Sequence, residues 1–413
     1  MSTQKKISIM WLSVLLAVLF FTGCTTMDLM KVEVMLSQEN YSAAIPILKD
    51  YVAENPDSVR ERSKLGFAYL KTGRIDEAID TLEKTIEIQP GEPYAVLYLG
   101  LAYINKEKYS KAIDVWQGLN DPNRPLVESE IKRLTTLIQI ADSQRAAKQA
   151  IANENEMRNE KLDESTVAVC YYKDVSQNKE LQGFQKGLAA MVISDLSKIN
   201  SLTIVERIRM QALLQEMKLG QTGIVDQKTA PRVGRLIGAE NLVVGTLSGD
   251  IQVATTLASS STGKIKGTTA ATISKAAFFE IPKGIVLDTA QIMGVELTDE
   301  EKAAIGTPHT KNYSAALHYG LALDALDAGH WENAKNLFAK ALREDPQFKL
   351  AQNGHEACPG GSSPTIGQLA AMTAAEITSM AETTVDHAIE NQIAADQVAE
   401  ETGLGGGGGG GGH

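Results

Sequence analysis

Three kinds of residue in this chain could do chemistry by type and spacing: one cysteine near the start, one acidic-basic dipeptide, and a scatter of histidines and cysteines. Cys24 follows Thr22 and Gly23 at the end of an apolar run from Ile7 to Phe21, which is itself preceded by Lys5 and Lys6. That run is too short to span a bilayer comfortably as a permanent helix and ends in small residues, as a cleaved secretion signal does. A thiol directly behind such a pair is the handle for a thioether-linked lipid, whereas in an ordinary cleaved signal it would be incidental. Glu206-Arg207 ends a strand-like run. There Glu206 is placed to cap backbone N–H groups and Arg207 to pair with a carboxylate, a structural role that fits better than catalysis. The histidines at 309, 318, 330, 355, 387 and 413 form no His-Glu-x-x-His motif and no metal spacing with Cys170 or Cys358, so neither a metal nor a cofactor is expected. Cys358 lies in a Gly/Pro-rich stretch, read as a flexible loop, with no nearby His or Lys to lower its pKa, and should be inert. With no phosphate-binding glycine loop and no nucleophile constellation, an enzyme is not expected.

The elements that must position these residues are bounded by composition. At 413 residues, 43% of them hydrophobic, the chain has room for two or more packed domains. The formal net charge is −11 and no long basic run follows residue 6, so counterion release has nothing to work with and nucleic acid is not an expected partner. Three cysteines specify no disulfide framework, although a single Cys170–Cys358 bridge stays open. No apolar run after the signal reaches spanning length, which leaves the lipid as the expected membrane attachment.

Residues 27 to 122 repeat with a period of 34: Leu65-Gly66, Tyr69, Gly73, Ala78 and Leu82 recur as Leu99-Gly100, Tyr103, Glu107, Ala112 and Trp116. Tyr41, Ala44, Leu48 and Pro56 fit the second half of the same template. These residues resemble the tetratricopeptide repeat, a helix-turn-helix unit whose small residues sit where two helices approach closely. Three units, the first atypical, make a continuous core. The resemblance implies a concave face built from the first helix of each unit, with Phe67, Leu70, Leu97, Leu101 and Ile104 on it and Arg60 and Lys71 at its edge. Gripping a partner peptide or helix and simple burial under the next helix both account for these side chains. Leu126 to Ile151, with Val127, Ile131, Leu134, Ile138 and Ala141 on one stripe after Pro125, reads as a capping helix. A further single unit runs from Ala315 to Ala351, through Leu321, Ala322, Gly329, Trp331, Ala334, Phe338 and Pro346. One unit cannot bury its own apolar face, so it must dock on the central domain, the first array or another copy of the chain.

From Thr166 the pattern switches to short apolar runs alternating with amphipathic helices, the mark of a mixed α/β layer fold. Strands are expected at 167–172, 202–205 and 242–245, and helices at 187–198, 207–218 and 229–237, the last closed by Gly238. The order of Leu196-Ser197, Thr203-Ile204-Val205-Glu206-Arg207, Leu213-Leu214-Gln215-Glu216, Gly234-Arg235-Leu236-Ile237-Gly238-Ala239 and Leu242-Val243-Val244-Gly245 resembles the periplasmic domain of the curli assembly/transport component CsgG family. The resemblance implies work in the outer envelope, in export or assembly of surface structures, and offers no catalytic residues. It departs where that family inserts long membrane hairpins. Here Ile251, Val253 and Leu257 alternate only briefly before a turn at Thr262-Gly263, and one soluble hairpin followed by a helix is expected.

The start of the chain resembles a bacterial lipoprotein signal with a lipobox, in which Cys24 becomes the acylated N-terminus. Thr25, not Asp, follows it, which by that resemblance implies the outer membrane, periplasmic face. The expected order is therefore a signal peptide (1–23), three tetratricopeptide repeats (24–122), a capping helix and linker (123–164), the α/β CsgG-like domain (165–300), a single tetratricopeptide unit (301–352) and a low-complexity tail (353–413). Within the tail, Ile366 to Glu400 should be helical in part and able to pair with a partner helix, with the glycines of 405–412 disordered. The expected function is a protein-binding scaffold for envelope assembly or secretion of surface structures. Its expected partners are envelope or secreted proteins, the membrane through the lipid, and further copies of itself as a homo-oligomer; the alternative is a subunit of a curli-type export channel.

Overall fold

The computed structural model describes residues 29–119, 121–157, 161–176, 181–218, 229–249, 251–272 and 274–401. Cys24, with the rest of the stretch expected to be a signal peptide, and the glycines of 405–412 lie outside them. The chain forms two compact units, residues 1–131 with 373–413, and residues 132–372.

The first unit is helical. A helix over 29–37 (α1) precedes α2 (Tyr41–Glu54) across a tight turn, α3 (Val59–Lys71) pairs with α4 (Ile75–Ile88), and α5 (Pro93–Asn105) with α6 (Tyr109–Gln117). The turns inside the pairs place residues 39, 73 and 107, each 34 from the next, in the left-handed region, at φ 56°, 74° and 56°. Within pairs the approach is set by missing side chains: a Cβ on Gly66 would overlap Leu82, and one on Gly100 would overlap the Trp116 ring. Trp116 can therefore cross to α5 and donate its indole N–H to the Leu97 carbonyl at 3.2 Å. Glu92 caps α5 and accepts the Ser63 hydroxyl at 2.9 Å, tying the third pair to the second. Helix α7 (Pro125–Ala152) follows, with Val127, Ile131, Leu134, Ile138 and Ala141 all buried and Leu126 exposed. The boundary between the units falls within this helix. The first unit is completed by α18 (Ala374–Glu401), which packs against α5.

The second unit is a mixed α/β layer with helices around one sheet. After α8 (Glu154–Met157), β1 (Thr166–Val169) pairs in parallel with β3 (Thr203–Ile204) on one side and β4 (Asn241–Ser248) on the other. The short β2 (Lys173–Asp174) continues alongside β4, and β5 (Gln252–Ser259) and β6 (Ile265–Thr272) extend the sheet antiparallel. The expected hairpin joins β5 to β6 through Thr262-Gly263, and β4 and β5, consecutive and antiparallel, form a second one that was not expected. β1 stops earlier than its apolar run: Cys170, Tyr171 and Tyr172 are buried but lie past the ladder. The Tyr172 ring fills the place a side chain on Gly245 would take, and its hydroxyl hydrogen-bonds with Thr255 Oγ1 at 3.2 Å. The helices are α9 (Gln182–Leu196), α10 (Arg207–Glu216), α11 (Ala230–Ile237) and, after the hairpin, α12 (Glu280–Met293) and α13 (Asp299–Gly306). Gly238, at φ 77°, ends α11 as its position required.

The C-terminal unit consists of α14 (Tyr313–Asp327), α15 (Trp331–Glu344) and α16 (Lys349–Ala357), and α17 (Ile366–Ala371) follows. It docks on the α/β domain, α14 lying along α9. Gly183 and Gly187 face Gly320 there, and a Cβ on Gly320 would fall on the Gly183 carbonyl. Cys358 is not in a flexible loop: it is fully buried, with its thiol 3.4 Å from the Trp331 carbonyl, and burial pushes that thiol up to about 11. Cys170 is likewise buried and free, so the open disulfide option is not used.

Candidate functional site

Phe67, Leu70, Leu97, Leu101 and Ile104 of the expected concave face, with Lys71 at its edge, line a groove built by two helices of the repeat array, α3 and α5. Leu97, Leu101 and Ile104 on α5 are fully buried, as is Leu70 nearly so on α3. Phe67 is half-buried in a row of rings, 5.4 Å edge-on from Tyr41 and 4.6 Å from Tyr98, which stacks on Tyr94 at 6.0 Å. Lys71 stands 5.6 Å over the Phe67 ring. The α5 segment is apolar on nearly every side because it is the middle helix of the array, contacted by α3, α4 and α6 as well as by α18.

What lies on α5 is a helix from the far end of the chain. Helix α18 buries Ile377, Ala381, Val385, Ala388 and Gln392, a single stripe at 4-4-3-4 spacing. Its polar flank meets polar groups on the array. Asp386 pairs with Lys71 at 3.0 Å, Glu382 accepts from the Asn105 side-chain amide at 3.3 Å, and Gln392 accepts the Leu126 backbone N–H at 3.1 Å. Asp386 is also close enough to push the Tyr41 and Tyr98 hydroxyls upward, although burial is the larger cause at both. Sequence reasoning identified a helix in this stretch able to pair with another. It did not find that the pairing partner is the chain's own array, nor that Asn105, Tyr98, Glu382 and Asp386 belong to the site. The stripe spacing was the available signal, but alanine at two of its five positions makes a weak apolar pattern.

Two clusters of polar groups in the second unit hold its helices together. Arg207, singled out with Glu206, places one guanidinium nitrogen 2.6 and 2.8 Å from the two oxygens of Asp327, which also receives Lys186 at 2.8 Å. Tyr171 and Gln215 complete the cluster, and Lys186 holds Asp324 at 2.8 Å. Burial alone would lower the Arg207 pKa, but Asp327 and Tyr171 more than offset it and hold the group charged. Glu206 takes the N-cap position of α10 with extended backbone, but its side chain does not make the expected capping bond. A second cluster surrounds buried Asp195, with Lys283 at 2.7 Å, Lys198 at 2.6 Å and His309 Nε2 at 3.0 Å. Burial pushes the Asp195 carboxyl up, yet His309 and the two lysines together hold it below its ordinary value. Each cluster ties helices together, α9, α10 and α14 in the first and α9 and α12 in the second. Among the described residues no three His, Cys, Asp or Glu side chains gather as metal ligands, and no helix is long and apolar enough to cross a membrane.

Comparison with known proteins matches three stretches of the chain. Residues 140–277 match the family model described as curli production assembly/transport component CsgG. Residues 35–97 and 319–354 match two tetratricopeptide repeat models. No curated protein matches the chain. Among solved structures, a tetratricopeptide repeat protein from Parabacteroides merdae is 11% identical, with 79% of this chain and 98% of that one covered and a TM-score of 0.26. Yeast Tom70 gives the same identity and TM-score, with 79% of this chain and 63% of that one covered. At that score neither likeness carries an argument, and the assignment rests on the family models and the helix pairs. The chain thus joins a CsgG-like α/β domain to tetratricopeptide repeats that precede and follow it in sequence.

Proposed function

We propose that this protein is a non-catalytic, protein-binding scaffold for assembly or secretion of surface structures. In this reading it is held at the outer membrane by a lipid on Cys24 and faces the periplasm. The observation that carries it is that the repeat array already accepts an amphipathic helix: α18 packs on α5 between Lys71 and Asn105, which meet its carboxylates. The CsgG match supports the pathway, because that family is described by curli production assembly and transport. The hairpin weighs against a channel subunit. Its strands are eight residues each, against roughly 9 to 11 for a membrane strand, and β6 exposes Lys266, Thr268 and Thr272.

The test is cross-linking in intact cells followed by purification and sizing. Leu97 and Leu101 are buried, so charging them would unfold the array; Lys71→Glu changes the groove's edge instead. One envelope protein captured by the wild type and reduced several-fold by Lys71→Glu is the expected result. A large homomeric ring whose captured proteins ignore the substitution would sink the scaffold and favour the export channel.

A further inference from the structure

Helix α18 occupies the surface that the scaffold reading assigns to a partner, and it does so with modest means. Its buried stripe is Ile377, Ala381, Val385, Ala388 and Gln392, so three of the five positions contribute a methyl group or an amide and only two a branched apolar side chain. Its ion pair to the groove is partly open to water, with the Lys71 side chain 23% and the Asp386 side chain 43% exposed. Exposed pairs of that kind hold weakly. Beyond the stripe, Ile393 and Val398 are exposed.

Resting on the reading that the repeats bind a protein, we propose that α18 is a displaceable occupant of the groove. The partner it gives way to is an acidic amphipathic helix of another protein, with small and branched apolar residues at 4-4-3-4 spacing and a carboxylate that takes the place of Asp386 on Lys71. The chemistry of the ligand is read from the helix already seated there: a groove shaped to alanine at two stripe positions excludes a helix with bulky residues at both. A tethered helix competes at an effective concentration in the millimolar range. The apparent affinity for a free helix therefore falls by the fraction of molecules whose groove is open. Binding is consequently gated, and any change that loosens α18 raises affinity without touching the groove.

The probe is a fluorescent peptide of residues 373–401, titrated by anisotropy into the detergent-solubilised full chain. Two variants on α18 loosen it, Val385→Glu in the stripe and Asp386→Lys at the ion pair, the second on a partly exposed side chain whose change leaves the fold intact. Wild type should bind the peptide weakly, Asp386→Lys several-fold tighter and Val385→Glu at least tenfold tighter. A peptide carrying Asp386→Lys should bind each chain several-fold less well than the unaltered peptide. Equal peptide affinity in all three chains, with unchanged circular dichroism, would overturn the proposal and make α18 a permanent part of the array. Variants that run as dimers exchanging α18 would overturn it too, by making a second copy the occupant. The scaffold reading fails separately: capture in cells that depends on Lys71 while the peptide never gains affinity removes the gating alone, and peptide gain with no captured protein removes the scaffold alone.

Discussion

Glu107 stands in a left-handed turn, φ 56°, at the position where the preceding repeat has Gly73 at φ 74° and the C-terminal unit has Gly329 at φ 72°. A side chain there is strained by about 1–2 kcal/mol, of which glycine returns part as extra freedom of the unfolded chain. Glu107→Gly should therefore stabilise the array by about 0.5–1 kcal/mol in urea unfolding, and loss of stability would mean that the exposed carboxylate outweighs the backbone term. At Asp195 the argument is electrostatic. Its folded-state pKa lies below the ordinary 3.8, so its contribution is fully present above that value and is lost as pH falls through the lower, folded one. Asp324, pushed up by burial, works in the opposite sense. Asp195→Asn leaves the buried Lys283 ammonium without its counter-charge, a loss of about 3–5 kcal/mol at neutral pH. Urea midpoints of wild type and variant should be far apart at pH 7 and converge below pH 3.8. A gap independent of pH would show that Asp195 acts through packing alone.

At the scale of elements, the seam between α9 and α14 explains why a lone repeat unit is stable where it is. Gly183, Gly187 and Gly320 let two backbones touch, and the Arg207–Asp327 pair locks the end of the seam, the Asp327 side chain being 6% exposed. Gly320→Ala should cost about 3 kcal/mol or more, because the obstacle is backbone and cannot swing aside. Asp327→Ala should cost about 3–5 kcal/mol by leaving Arg207 buried and unpaired. The two losses share one seam, so the double variant should lose less than their sum; full additivity in thermal unfolding would show that the glycine contact and the ion pair hold separate structures. This seam also shows what was legible in the residues. The period of 34, Gly66, Gly100 and the need of a single unit to dock were readable, because repeat spacing and small residues are local signals. The choice of the central domain as the dock was not, since Gly183 and Gly320 are 137 residues apart and nothing in either segment names the other. The same limit hid α18. Its residues read as a helix wanting a partner, and only the folded array could show that Lys71 and Asn105 were the groups its carboxylates would meet.

For the whole molecule the two functional readings part over how it is held. A scaffold anchored by acyl chains on Cys24 has one attachment, whose strength comes from having more than a single chain. A channel subunit would have a second, through strands inserted in the bilayer. Cys24→Ser removes the first and leaves the second. Under the scaffold reading the variant should incorporate no labelled palmitate and move from the outer-membrane fraction to the soluble periplasmic one. The α/β domain and repeats should keep their unfolding transitions. Retention in the outer membrane at the wild-type level would require an attachment that no described helix supplies. The hairpin of β5 and β6 would then be the element to examine, with Lys266 and Thr268 its most telling positions. A charge placed at Thr268 would be tolerated on a soluble hairpin and would cost about 2–4 kcal/mol on a lipid-facing one.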